Sequence, residues 1–177
     1  MEQTKLQIIK YPHPKLREKA KEVLELNGEL AGLSRQMLET MYSANGLGLA
    51  ANQVGFLKRL VVIDMGQKKG RPEPMVLINP EIIEREGNIV GEEACLSVVD
   101  FASDVERSAR VLVKAIDLNG KELHIEAEGL FSVCLQHEID HLDGILFIDH
   151  ISPLKRGLYK RKLKKLLPTL GILEKRW

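Results

Sequence analysis

The segment "HEIDH", His137 to His141, sets two imidazoles four residues apart with an acid beside the first. On a helix such positions share one face, with Cβ atoms about 5–6 Å apart. Two imidazoles so placed can reach one metal ion. Glu138 lies one position round, where its carboxylate can reach a metal-bound water without taking a coordination place. The bland alternative is a pair of core histidines with a surface glutamate. It fits poorly, because residues 129–143 are apolar on most faces and read as a central helix ended by Gly144. Two unsatisfied imidazoles beside an acid would be costly there.

The third donor sorts the possibilities. One protease pattern continues His-x-x-Gly-x-x-His. The chain matches it as far as Gly144 but has Phe147 at the last position, and His150 comes three residues late. Another pattern uses a downstream glutamate, and the only glutamate after His141 is Glu174, in a basic tail. The donor must come from upstream. Cys95, in "EEACLSV", is the strongest candidate, since a thiolate is a soft, strong ligand for Fe2+ or Zn2+. Cys134 lies three residues before His137, but it reads better as a small buried core residue. Three protein ligands and one open position are what a catalytic site needs. The expected chemistry is hydrolysis: the metal lowers the pKa of its bound water, and Glu138 manages the proton.

Other elements must position that helix. "YPHPKLREKA" reads as a turn feeding a short basic helix, with His13 as a surface turn residue. Leu30, Leu33, Met37, Leu38 and Met41 recur at helical spacing. Asn27 can cap that helix, and Asn45-Gly46 can end it in a left-handed turn. "RLVVIDM" (59–65) and "MVLINP" (75–80) read as strands around a polar loop. "RVLVKAIDLNGKELHIEAEG" reads as a hairpin about a two-residue Asn119-Gly120 turn, with His124 facing solvent. Strands precede the helix and are not woven into strand–helix–strand units. The expected class is α+β, with antiparallel sheets around a central metal-bearing helix and a C-terminal helix.

At this point the residues resemble a known family. "GLGLAANQ" (46–53), "EACLS" (93–97) and "QHEIDHLDG" (136–144) are similar, in order and spacing, to the three signature blocks of peptide deformylases. The resemblance runs from about residue 5 to the lysine-rich tail. It implies removal of the formyl group from N-formylmethionine on nascent polypeptides, with release of formate. It implies Fe2+ as the usual metal, with Zn2+, Ni2+ or Co2+ able to replace it. By the same resemblance Cys95, His137 and His141 are the ligands, and Glu138 is general base and then acid. The Gln53 side-chain amide and the Leu96 backbone N–H donate to the developing oxyanion, each worth about 3–4 kcal/mol at most. Leu47 and Gly48 flank the substrate main chain, where glycine permits close approach. Leu130 and Val133 line an apolar pocket for methionine. Glu93 and Arg107 form a salt bridge that steadies Cys95. The chain departs from the family pattern at Ala94, where glycine is usual, and at Val98-Val99-Asp100-Phe101, where a proline-containing turn is usual.

Composition bounds the rest. The chain has 177 residues, which suggests one catalytic domain over 1–177, and its 44% hydrophobic and 29% charged residues suit a soluble globular protein. No apolar run suggests a secretory signal or membrane span, and the two cysteines read as cytosolic thiols, so a cytoplasmic location is expected. The net charge of +1 does not suit a DNA binder. The tail, 154–177, is different: it has nine Lys or Arg and one acid. It reads as a basic helix with Leu158, Leu163 or Leu166 as apolar anchors. It suits contact with the ribosome near the exit tunnel better than a membrane surface. A monomer is expected. Two rival functions remain at this level, a His-Glu-x-x-His metalloprotease and a non-catalytic metal-binding module on the ribosome. Glu138 and Gln53 speak against the second, since neither is needed to hold a metal.

Overall fold

The computed structural model describes residues 5–66 and 70–168. Helix α1 spans Gly28–Ser43 and is followed by strands β1 (Gly48–Ala50) and β2 (Leu60–Ile63). Strands β3 (Met75–Cys95), β4 (Val98–Ile116) and β5 (Glu122–Glu128) lead into helix α2 (Gly129–Leu142). Helix α3 (Pro153–Leu166) closes the described chain. The strands form one antiparallel sheet in the order β1-β2-β3-β4-β5. The expected α+β class holds.

Strand β2 explains the layering. All four of its residues are buried, so both faces are covered. Val61 and Ile63 pack with Leu77, Val111 and Val113 against Leu135, Ile139 and Leu142 of α2. Leu60 and Val62 point the other way, to Leu30, Leu33, Met37 and Met41 of α1. Helix α1 begins where Asn27 Oδ1 accepts the Leu30 N–H at 3.0 Å, and Asn45 past its end has φ +56°, as the sequence suggests.

Three expectations change. The strand expected over 75–80 runs on to Cys95 and pairs with β4 as a long ribbon. Residues 84–88 are exposed, so no in–out alternation marks them. The hairpin after β4 has no two-residue turn: Asp117 N–H donates to the Lys121 carbonyl at 2.9 Å, Asp117 Oδ1 accepts from Asn119 N–H, and only Gly120 has positive φ. A side chain supplies the closure that a left-handed Asn119 would otherwise give. The tail helix belongs to the core: Tyr159, Leu163 and Leu167 join Tyr11, Leu16, Leu146, Phe147 and Ile148, while Leu158 is half exposed. Residues 169–177 of the tail lie outside the described residues. His13 caps the short 3-10 turn Pro14–Arg17, and His124 is exposed. Among the described residues, no helix is long and apolar enough to cross a membrane.

Candidate active site

Cys95 is the last residue of β3, and Leu96-Ser97 turns the chain tightly into β4, with Cys95 paired to Val98. That hairpin tip lies over α2. The Cys95, His137 and His141 donor atoms all lie within 4.8 Å of one another, with Cys95 Sγ 3.2 Å from His141 Nε2. The two imidazoles meet edge to face with centroids 4.9 Å apart. The sheet thus brings a residue more than forty positions upstream to the two histidines.

Each donor is prepared for a cation. His137 Nδ1 lies 2.8 Å from Glu93 Oε2. An ionised carboxylate only accepts, so Nδ1 carries a proton and Nε2 is the nitrogen left for a cation. Arg107 holds the same carboxylate in a two-point grip, Nε to Oε1 at 2.7 Å and Nη2 to Oε2 at 3.1 Å. Burial pushes the Glu93 pKa up, but the hydrogen bonds from His137 and Arg107 outweigh it, and the result is about 2. The expected Glu93–Arg107 pair is present, with its carboxylate on His137 and not on Cys95. Burial, with the His137 charge next, holds the His141 pKa well below its ordinary value, which keeps that ring neutral and able to donate a lone pair. Burial pulls the His137 pKa down, but its Cys95 and Glu93 partners outweigh that and raise it well above its ordinary value, so a cation would have to displace a proton there. One thiolate and two imidazole nitrogens then suit Fe2+, Zn2+, Co2+ or Ni2+.

Glu138 faces the same space. It is 5% exposed, and its Oε2 is buried with no hydrogen-bond partner among the described residues. Burial pushes its pKa up to about 7, against the pull of His137. A carboxyl group balanced near neutrality can take a proton and give it back. Gly48 exists for this side chain: a Cβ there would stand 2.6 Å from Glu138 Oε1 and 2.7 Å from Cγ. Glycine at 48 thus also makes room for Glu138, a reason that spacing alone does not reveal.

Gln53, in a short 3-10 turn after β1, is fixed at both ends of its amide. Oε1 accepts the Ala50 N–H at 2.9 Å, and Nε2 donates to Ser97 Oγ at 3.1 Å while lying 3.6 Å from Cys95 Sγ. Leu47, Gly48, Gln53, Cys95, Leu96, Leu130, Val133, His137 and Glu138 line one cavity of about 390 Å³. Glu93 lines it too, His141 stands behind it against Cys95 Sγ, and Arg107 braces it through Glu93. Ala94 lies in β3 with negative φ, at a register shift where residues 99–101 of β4 bulge between the partners of Ala94 and Cys95, and Asp100 has φ +54°.

Two contributors escaped the sequence reading. Ser97 holds the Gln53 amide. Asp140 accepts from Arg107 Nη1 at 2.5 Å and lies 2.8 Å from His150 Nε2. Asp140 carried a signal, an acid three residues after His137 on an otherwise apolar helix. Ser97 carried none, because its partner is remote in sequence.

Comparison with known proteins agrees with this geometry. The family described as Polypeptide deformylase matches residues 5–157. A peptide deformylase of Thermodesulfovibrio yellowstonii is 55% identical, over 90% of this chain and 96% of that protein. One from Alkalilimnicola ehrlichii is 52% identical, over 92% of this chain and 90% of that protein. The crystal structure of a peptide deformylase from Legionella pneumophila superposes with a TM-score of 0.88 at 43% identity, covering 97% of this chain and all of that one. A Synechococcus elongatus peptide deformylase, solved in complex with actinonin, gives 0.83 at 40% identity, covering 92% and 90%. Sequence, fold and the gathered donor set coincide along almost the whole chain, which belongs to the peptide deformylase family.

Proposed function

We propose that this chain hydrolyses the N-formyl group from N-formylmethionine at the start of nascent polypeptides. The observation that carries the reading is the unpartnered Glu138 Oε2 in the cavity that Cys95 and His137 also line, with His141 completing the donor set behind them. A divalent ion held by those donors supplies Lewis acidity and makes water a nucleophile near neutral pH. The chain's residues do the rest. Glu138 takes the water proton at Oε2 and delivers it to the amine nitrogen as the formyl C–N bond breaks, giving formate and a free amino terminus. The Gln53 Nε2–H that points toward Cys95, together with the Leu96 N–H, donates to the formyl oxygen as negative charge develops. Leu130 and Val133 receive the methionine side chain, and Leu47 and Gly48 flank its main chain. Strand β1 lies at the sheet edge, so a peptide can run beside Gly48 as an added strand.

Iron(II) is the proposed metal, with Zn2+, Ni2+ or Co2+ able to substitute, because the mixed thiolate and imidazole set accepts all of them. All donors come from one chain, which supports a monomeric, single catalytic domain over 1–177. The proposed location is the cytoplasm, and the proposed larger partner is the ribosome near its exit tunnel. Support for the ribosome comes from α3, which anchors through Tyr159 and Leu163 and leaves Lys155, Lys160 and Arg161 exposed.

Anaerobic purification with metal analysis, followed by assay of formate release from formyl-Met-Ala, tests the activity. Metal-dependent formate release with intact Met-Ala is expected. Cleavage of unformylated peptide would favour a protease, and metal binding without either activity would favour a binding module.

A further inference from the structure

The segment Ile9–Tyr11 ties together the two loops that the proposed mechanism uses for developing negative charge. The Ile9 N–H donates to the Gln53 carbonyl at 2.7 Å, and the Tyr11 N–H donates to the Ser97 carbonyl at 2.8 Å. Between these two backbone bonds Lys10 reaches in with its side chain, and Nζ donates to the Leu96 carbonyl at 2.5 Å. Lysine carries a strongly hydrated charge on a flexible stem and ordinarily stays in water. This one is half-buried, and burial lowers its pKa against the opposing pull of Cys95. Desolvating an ammonium is costly unless a fixed polar partner uses it. The partner here is a carbonyl of the two-residue turn that carries the ligand Cys95 on one side and braces Gln53 through Ser97 on the other.

We propose that Lys10 is a positioning residue for deformylation: its ammonium locks the Cys95–Val98 turn so that the Leu96 N–H meets the formyl oxygen, and its positive charge acts on the Cys95 thiolate. This rests on the deformylase reading. Lys10 touches neither substrate nor metal. It works through the turn, and so its effect falls mainly in turnover and little in substrate binding. Nothing in the sequence marks it, since a lysine near an N-terminus reads as surface.

Lys10→Met keeps the stem and removes both donor and charge, while Lys10→Arg keeps both. With Ni2+-loaded enzyme and formyl-Met-Ala, Lys10→Met should lower kcat about tenfold at little-changed KM, less than the loss of an oxyanion donor itself. Lys10→Arg should recover to within about threefold. Co2+-loaded protein gives a readout that needs no turnover. The thiolate-to-Co2+ charge-transfer band should move to longer wavelength in Lys10→Met, because a positive charge is taken from the sulfur's surroundings, and should stay in place in Lys10→Arg. Lys10→Gln, a donor without charge, replaces the Met variant if that one does not fold. A kcat within about twofold of wild type with an unmoved band overturns the proposal. A loss that Lys10→Arg does not restore, or that falls on KM, also overturns it and leaves a structural staple. If the wild-type chain itself released no formate, the deformylase reading would fall, and the Co2+ band would still decide whether Lys10 acts on the thiolate.

Discussion

Helices α2 and α3 are each 14 residues long and treat charge in opposite ways. Helix α2 buries His137, Glu138 and His141 and surrounds them with Glu93, Arg107 and Asp140. Helix α3 buries only Tyr159 and Leu163 and leaves most of its lysines and arginines in water. A solvated charge needs no partner, whereas an interior one costs several kcal/mol unless it is paired and hydrogen-bonded. One helix therefore depends on its polar residues and the other on two or three apolar ones. The same substitution should have opposite consequences in the two places.

The comparison breaks most sharply at Glu138. Glu138→Ala should retain stoichiometric metal and lose about 10³-fold in kcat, since the side chain moves a proton and coordinates nothing. Metal content and formate release on the same sample check this, and loss of the metal along with activity would make Glu138 a ligand. Next comes Arg107→Met, which leaves the Glu93 carboxylate buried without its cation. A loss of about 3–5 kcal/mol is expected in urea unfolding, and unchanged stability would show that water replaces the guanidinium.

On α3 the ranking inverts. Tyr159→Ala removes a ring stacked on Phe101 at 4.4 Å between centroids and should cost about 3 kcal/mol. The double change of Lys160 and Arg161 to Gln should stay within about 0.5 kcal/mol. Thermal melts of both proteins decide this, and similar losses would mean that α3 is held by its charges.

Asp149, in the turn between the helices, gives a small effect, and one that depends on pH. Its carboxylate accepts from Arg17 and from the Leu146 N–H at 2.9 Å. Burial pushes its pKa up, but the Arg17 bond and the Leu146 N–H outweigh that, and it lies below the usual carboxylate range. A depressed carboxylate contributes stability that is present above its unfolded pKa of about 3.9 and is lost as pH falls through the folded value. Asp149→Asn should therefore be about 0.5–1 kcal/mol less stable at pH 7, as for a partly exposed ion pair, and the gap should close below about pH 4. Urea midpoints at several pH values test this, and a gap that widened on acidification would reverse the sign.

These contrasts explain what was legible in the sequence. His137, Glu138 and His141 stood out because polar residues on an apolar helix conflict with local burial, and functional sites are where such conflicts are expected. Cys95 followed from the absence of a downstream donor. The outer ribbon of β3 and β4 was hidden because residues such as Glu84 and Asn88 are wetted and obey no alternation. The anchors Tyr159 and Leu163 of α3 and Leu167 just past its end recur every four residues, but the intervening lysines dominate the composition. Ser97 and the fit of Gly48 against Glu138 depend on contacts between distant segments, which periodicity does not encode.

Tyr11 stacks on Tyr159 with ring centroids 6.3 Å apart, which fastens the start of the described chain to its last helix. The sheet, by contrast, joins each strand to its predecessor and can zip up in the order of synthesis, because contacts close in sequence form early. The segment that grips Gln53, Leu96 and Ser97 also leans, through Tyr11, on the last described helix. A chain made only as far as His141 therefore has its three donor residues before Tyr159 can brace the segment around Tyr11. Pulsed hydrogen exchange during refolding should find the Ile9 and Tyr11 amides protected after those of β2 and β3, and simultaneous protection would place the closure earlier.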